Sequence, residues 1–179
     1  MVQIYWNTYD FKPNKKYLIY YFGNFSPPHK GHYSLIEPFL SQKESNIKIL
    51  IDIFGDESRH GISKEISLKI FQIYLKNYTN FSFSKDNIDK NIDKVIFIRG
   101  KENYNIKKFV HEYHSDFIKK LRKQGILSDI LIIDRISSIS STEMCKNINS
   151  ELYLTYLPEH ILNDEKEEII LLLRNLLKN

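Results

Sequence analysis

Residues 17–40, YLIYYFGNFSPPHKGHYSLIEPFL, constrain the fold more than any other stretch of the chain. Residues 17–22, YLIYYF, have the length and composition of a buried strand. Gly23, Asn24, Ser26, Pro27 and Pro28 then supply a turn. After His29, Lys30, Gly31 and His32 the apolar residues Leu35, Ile36, Phe39 and Leu40 fall on one face at helical spacing. Pro38 has no N–H, so the helix should kink or end early there. A strand, a glycine turn and a helix start place backbone N–H groups outward, where the helix dipole favours negative charge. Two imidazoles three residues apart face the same way on a first helical turn. Such a segment suits a polyphosphate.

The ten residues 23–32, GNFSPPHKGH, resemble the G-x-F-x-P-x-H-x-G-H signature of the nucleotidylyltransferase superfamily. That superfamily includes the nicotinamide and nicotinate mononucleotide adenylyltransferases, phosphopantetheine adenylyltransferase and the small cytidylyltransferases. The Pro27–Pro28 pair is most similar to the bacterial mononucleotide adenylyltransferases. The resemblance implies that His29 and His32 hold a nucleoside triphosphate and its transition state. It implies that Gly23, Asn24, Phe25, Ser26 and Gly31 line the nucleotide, with Gly31 allowing close approach and Asn24 also touching an acceptor phosphate. Mg2+ would enter with the triphosphate rather than on protein ligands.

A second run, ISSTEMCK at 139–146, carries serine and threonine hydroxyls at a helix start, where free N–H groups suit an anion. Ser140 with Glu143 fits a capping box equally well, and a capping box needs no ligand. The run resembles the superfamily's I-S-S-T-x-x-R motif, which implies phosphate contacts for Ser140, Ser141 and Thr142. The motif's arginine position is Cys145, a neutral side chain, and Lys146 points about 100° away around a helix. YLPEHI at 156–161 resembles the superfamily's Tyr-Leu-Pro-x-x-Val stretch. Arg99 and Gly100 follow an apolar run; the resemblance implies that Arg99 clamps the acceptor phosphate and Gly100 contacts nucleotide. A surface ion pair accounts for a strand-end arginine equally well.

The remaining chain alternates strands and helices. Strands are expected at 47–54, 95–98 and 130–133, and helices from Ser63 with Ile66, Ile70 and Ile73 inward, over 106–123, from Ser140 to Ile148, and over 165–178 with Ile169, Leu172, Leu173 and Leu176 inward. Residues 55–61 read as a polar loop, and the Asn-, Asp- and Ser-rich stretch 77–93 as including one. This alternation predicts an α/β, Rossmann-like, doubly wound parallel sheet in a single domain over 17–179, preceded by an extension at 1–16. The extension, with Trp6, is open to three roles: an edge strand, an oligomer contact or a flexible arm.

Hydrophobic residues at 42% and charged residues at 27% place the chain among ordinary globular proteins. A net charge of +4 suits an anionic substrate, but scattered lysines do not indicate a nucleic-acid partner. One cysteine excludes an internal disulfide and makes a reducing, cytoplasmic setting the expectation. No apolar run approaches the roughly 20 residues of a membrane span. His111 and His114, three apart, read as a solvated helix face rather than metal ligands. Arg59 and His60 read as a polar loop that could close over substrate, and the leucine-rich last helix as core or a homo-oligomer contact.

The expected activity is AMP transfer from Mg-ATP to a small phosphorylated acceptor, first nicotinamide or nicotinate mononucleotide, with release of pyrophosphate. Phosphopantetheine and cytidylyl transfer from CTP are the alternatives. From another class, Cys145 motivates a nucleotide-binding regulator without turnover.

Overall fold

A computed structural model describes every residue except 1–2, 6–7, 41–45, 55–58, 86–90, 101–105, 135–138 and 178–179. Side chains at 3–4, 59, 106–113 and 176–177 are likewise outside the description. Trp6, most of the loop after residue 54, and the side chains of Arg59, His111 and Leu176 therefore lie outside the described residues. The chain packs as two compact units, each assembled from three stretches. The first contains 1–22, 35–52 and 80–135; the second contains 23–34, 53–79 and 136–179. The chain passes repeatedly between them, so neither unit is continuous in sequence.

The first unit carries the sheet, six-stranded with order β1-β6-β5-β2-β3-β4. Its strands are β1 (Gln3–Tyr5), β2 (Tyr17–Gly23), β3 (Ile47–Ile53), β4 (Phe81–Ser82), β5 (Lys94–Gly100) and β6 (Leu127–Ile133). The registers of β1 with β6, β6 with β5, β5 with β2 and β3 with β4 are all parallel. Every residue of β2 is buried, and so are Val95, Ile96, Phe97 and Ile98 of β5. Continuous apolar runs are what strands covered on both faces require. From β2 the next strands run outward one way as β3 and β4, the later ones the other way as β5 and β6. The order thus reverses between β2 and β5, the switch point at which open α/β sheets bind ligands beyond their strand ends. Residues 3–5 of the N-terminal extension form an edge strand, Gln3 opposite Ile130. Two-residue β4, with Phe81 opposite Ile49, lies inside the stretch expected to include a loop and is too short to show a period.

The helix expected after the first turn is two short ones, α1 (Lys30–Tyr33) and α2 (Glu37–Leu40). The break falls just before Pro38, as a missing N–H demands. In the first unit α4 (Ile106–Lys123) is kinked at His114, whose φ of −127° and ψ of 17° are not helical. Here the structure overturns the solvated-face reading. His114 is buried, its ring edge-on to Phe22 at 4.4 Å and Tyr20 at 5.0 Å. Its Nδ1 lies 3.3 Å from the Tyr20 hydroxyl, which donates a short hydrogen bond to Asp52. Lys85 pairs with the same Asp52 oxygen at 2.7 Å. Residues on β2, β3 and α4, with Lys85 after β4, thus form one polar chain among aromatic rings, which periodicity on α4 alone could not reveal.

The second unit contains α3 (Lys64–Leu75), α5 (Ser141–Lys146), α6 (Asn163–Leu177) and a 3-10 turn over Glu151–Tyr156. Ser63 caps α3 by accepting from Ile66 N at 3.4 Å. The buried face of α3 is Ser67, Ile70, Phe71, Tyr74 and Leu75, turned slightly from the expected Ile66–Ile70–Ile73 stripe. On α6 the buried positions with described side chains are Glu165, Ile169 and Leu173, while Leu171 is exposed.

Candidate functional site

The site is built on residues 23–32 in the second unit. Gly23 ends β2, and a Cβ placed there would come within 3.1 Å of the Phe25 ring. That close approach is why the position carries no side chain. Phe25 is buried, packed edge-on against Phe71 at 5.0 Å and His32 at 5.1 Å. Asn24 is exposed and accepts from the Ser26 hydroxyl at 2.6 Å.

Three carbonyls of this turn are held by hydroxyls from elsewhere in the unit. Ser67 Oγ donates to Phe25 O at 2.6 Å, Ser141 Oγ to Pro27 O at 3.0 Å, and Tyr74 Oη to Pro28 O at 3.0 Å. Buried backbone acceptors must find donors, and here the donors come from α3 and α5. Ser67 and Tyr74 escaped the sequence reading. The available signal was a serine amid the apolar positions of α3.

His29 and His32 form a reciprocal cap on α1. His29 Nδ1 accepts from Gly31 N at 3.1 Å, and His32 Nδ1 accepts from His29 N at 3.3 Å. The rings lie 3.8 Å apart between centroids at 32°. Both residues are largely covered, His29 at 1% and His32 at 9% exposure. An Nδ1 that accepts an N–H leaves the proton of the neutral ring on Nε2. Geometry therefore selects one tautomer for both rings, with each Nε2 a donor.

The hydroxyl run lies beside this turn. Ser141 reaches Pro27, and Thr142 Oγ1 stands 3.1 Å from His60 Nε2. Ser140 serves as the N-cap of α5: its hydroxyl accepts from Glu143 N at 3.2 Å and donates to the Glu143 carboxylate at 3.1 Å. The Glu143 carboxylate also accepts Ser140 N at 3.0 Å, which completes the capping box. So Ser140 works for the helix, while Ser141 and Thr142 join α5 to the turn and to His60. Cys145 is half-buried, and burial pushes its thiol up to about 11, so it stays a neutral thiol at ordinary pH.

Arg99 and Gly100 end β5 in the first unit and are described there. The Arg99 guanidinium lies 4.9 Å from the centre of the Phe22 ring, a cation–π contact. Among the described residues no group of three His, Cys, Asp or Glu side chains could hold a metal ion. Among them no helix is long and apolar enough to cross a membrane.

No family model matches the chain, and no curated protein does. Solved structures do. A candidate nicotinate-nucleotide adenylyltransferase from Vibrio parahaemolyticus superposes with a TM-score of 0.57 at 17% identity, covering 90% of this chain and 98% of that one. Plasmodium falciparum nicotinic acid mononucleotide adenylyltransferase complexed with APC gives 0.55 at 16%, covering 91% and 98%. NadR protein in complex with NR gives 0.53 at 21%, covering 79% of this chain and 44% of that one. Identities this low speak to architecture, and the architecture is clear: the chain has the α/β, Rossmann-like fold of these nicotinate-nucleotide adenylyltransferase structures.

Proposed function

We propose that the protein transfers AMP from Mg-ATP to the phosphate of nicotinate or nicotinamide mononucleotide, releasing pyrophosphate. The observation that carries this reading is the histidine pair: two imidazoles 3.8 Å apart, each accepting a backbone N–H at Nδ1, on a turn whose carbonyls are pinned. In such a reaction an acceptor phosphate oxygen attacks the α-phosphorus in line. The bond from that phosphorus to the bridging oxygen breaks, and pyrophosphate leaves with its magnesium. Little proton transfer is required, so positioning and charge stabilisation dominate. His29 and His32 donate through Nε2 to phosphate oxygens on which charge grows, each contributing about 3 kcal/mol by analogy with an oxyanion-hole donor. Magnesium enters with the substrate, chelated by the triphosphate. The sheet supports the reading too, because its strand order reverses between β2 and β5, the kind of switch point at which open α/β sheets bind ligands. The acceptor choice follows the Pro27–Pro28 turn and the fold neighbours, and a lone thiol suits the reducing cytoplasm.

The test is pyrophosphate release from ATP and from CTP, each with nicotinate mononucleotide, nicotinamide mononucleotide, phosphopantetheine and an alcohol phosphate. Release is expected with ATP and a mononucleotide, falling about 100- to 1,000-fold in His32→Ala. The second reading, a nucleotide-binding regulator, is favoured by the neutral Cys145. Tight ATP binding with no release for any acceptor would decide for it.

A further inference from the structure

Within the second unit polar contacts close a circuit through three separate stretches of chain. Pro27 O accepts from Ser141, and the neighbouring Thr142 meets the ring of His60 at 3.1 Å, across 82 positions of sequence. Two residues beyond His60, Ile62 O lies 3.5 Å from Ser26 Oγ, whose proton goes to Asn24, and Ser26 precedes Pro27. His60 itself sits in the left-handed region, φ 64° and ψ 25°, and Gly61 follows at φ 73°. Few residues with a side chain adopt this backbone, and where one does the surroundings hold it there. Nothing in the turn requires an imidazole at 60 for backbone reasons, because Asn or Gly would sit there more easily. What histidine adds is reach: an Nε2 that arrives at the Thr142 hydroxyl.

We propose that His60 is a positioning residue for the triphosphate, its Nε2–H donating to Thr142 Oγ1 so that the threonine's own proton is directed to a phosphate oxygen. This rests on the adenylyl-transfer reading and extends it to a residue that the signature does not contain. A threonine hydroxyl accepts and donates at once, so fixing its acceptor side aims its donor side. Cys145, on the same run, carries no charge to perform this task. His60 acts on ground-state and transition-state phosphate alike, so its loss appears in KM for Mg-ATP more than in kcat.

The experiment compares wild type with His60→Asn, His60→Gln, Thr142→Val and the His60→Asn/Thr142→Val pair. Asparagine keeps the left-handed preference but is too short to reach Thr142, whereas the glutamine amide reaches about as far as Nε2. The expected result is an approximately tenfold rise in KM for Mg-ATP in His60→Asn with kcat within about twofold, recovery in His60→Gln, and no further rise in the double variant. An unchanged KM in His60→Asn, or rises that multiply in the double variant, overturns the proposal. If His60→Asn does not fold, Thr142→Val against Thr142→Ser reads the same contact: equal KM values overturn it, a tenfold gap supports it. Wild type that releases no pyrophosphate with any pair removes the underlying reading and the role of His60 with it. Wild-type turnover that is indifferent to residue 60 removes this inference alone.

Discussion

At the scale of single residues, His114 has the clearest consequence for solution behaviour. Burial holds its imidazole down at about 4, from an ordinary 6.5; nearby Asp52 opposes that shift, while Lys85 and Arg99 add to it. The Tyr20 hydroxyl, which faces it from β2, is pushed up by burial and stays protonated. Asp52 is desolvated too, yet hydrogen bonds from Lys85 and Tyr20 keep its carboxyl below the usual range. The unfolded chain takes up a proton on His114 near pH 6.5 and the folded one refuses it until about pH 4. Its contribution to stability is therefore complete above that upper value and drains away as pH falls between the two. Urea unfolding between pH 4 and 7 should show this fall, and His114→Phe should flatten it; an equal slope in the variant would contradict the assignment. The carboxylate of Asp52 gives way only at still lower pH, which separates the two effects. Sequence could not show any of this. Residues three apart on a charged helix look solvated until the kink at 114 and the aromatic faces of β2 and β5 turn one of them inward. That His29 and His32 come together on one helix start was legible because the pattern is local: the backbone N–H groups that meet their Nδ1 atoms lie within three residues.

At the scale of elements, the turn after β2 depends on α3 as much as on its own residues. Ser67 is fully covered and donates to Phe25 O, so Ser67→Ala takes a donor from a buried carbonyl and should cost about 1–3 kcal/mol of stability. The same change should lower kcat, because the turn carries the histidine pair, and Ser67→Thr, which keeps the hydroxyl, should retain more of both. Loss of stability with undiminished kcat would show that the pinning is irrelevant to turnover. The α3 helix was readable from Ser63 and the isoleucine spacing, but its buried face was not, since a polar residue inside an apolar stripe lowers the signal that marks the stripe. Ser140 is the converse case. The capping box and the phosphate contact were both open from sequence, and the carboxylate of Glu143 now occupies its hydroxyl.

For the whole molecule, the order of strands was predictable in kind from the alternation of elements. The edge pairing of residues 3–5 and the two interleaved units were not, because both depend on contacts between distant parts of the chain. The carbonyl clamps around residues 25–28 also determine what sort of visitor the molecule can receive. The oxygens of Phe25, Pro27 and Pro28 are engaged by hydroxyls, the Asn24 amide oxygen by Ser26, and both Nδ1 atoms by backbone N–H. Each of these acceptors already holds a donor supplied by the fold, which leaves the turn poorly disposed to gather a bare cation. A hydrated divalent ion arriving by itself finds no welcome there, whereas one already chelated by a nucleotide is carried in by its escort. Magnesium titrated alone should leave the ring resonances of His29 and His32 where they are, and magnesium with ATP should shift them; a shift caused by the bare ion would reverse this picture of the turn.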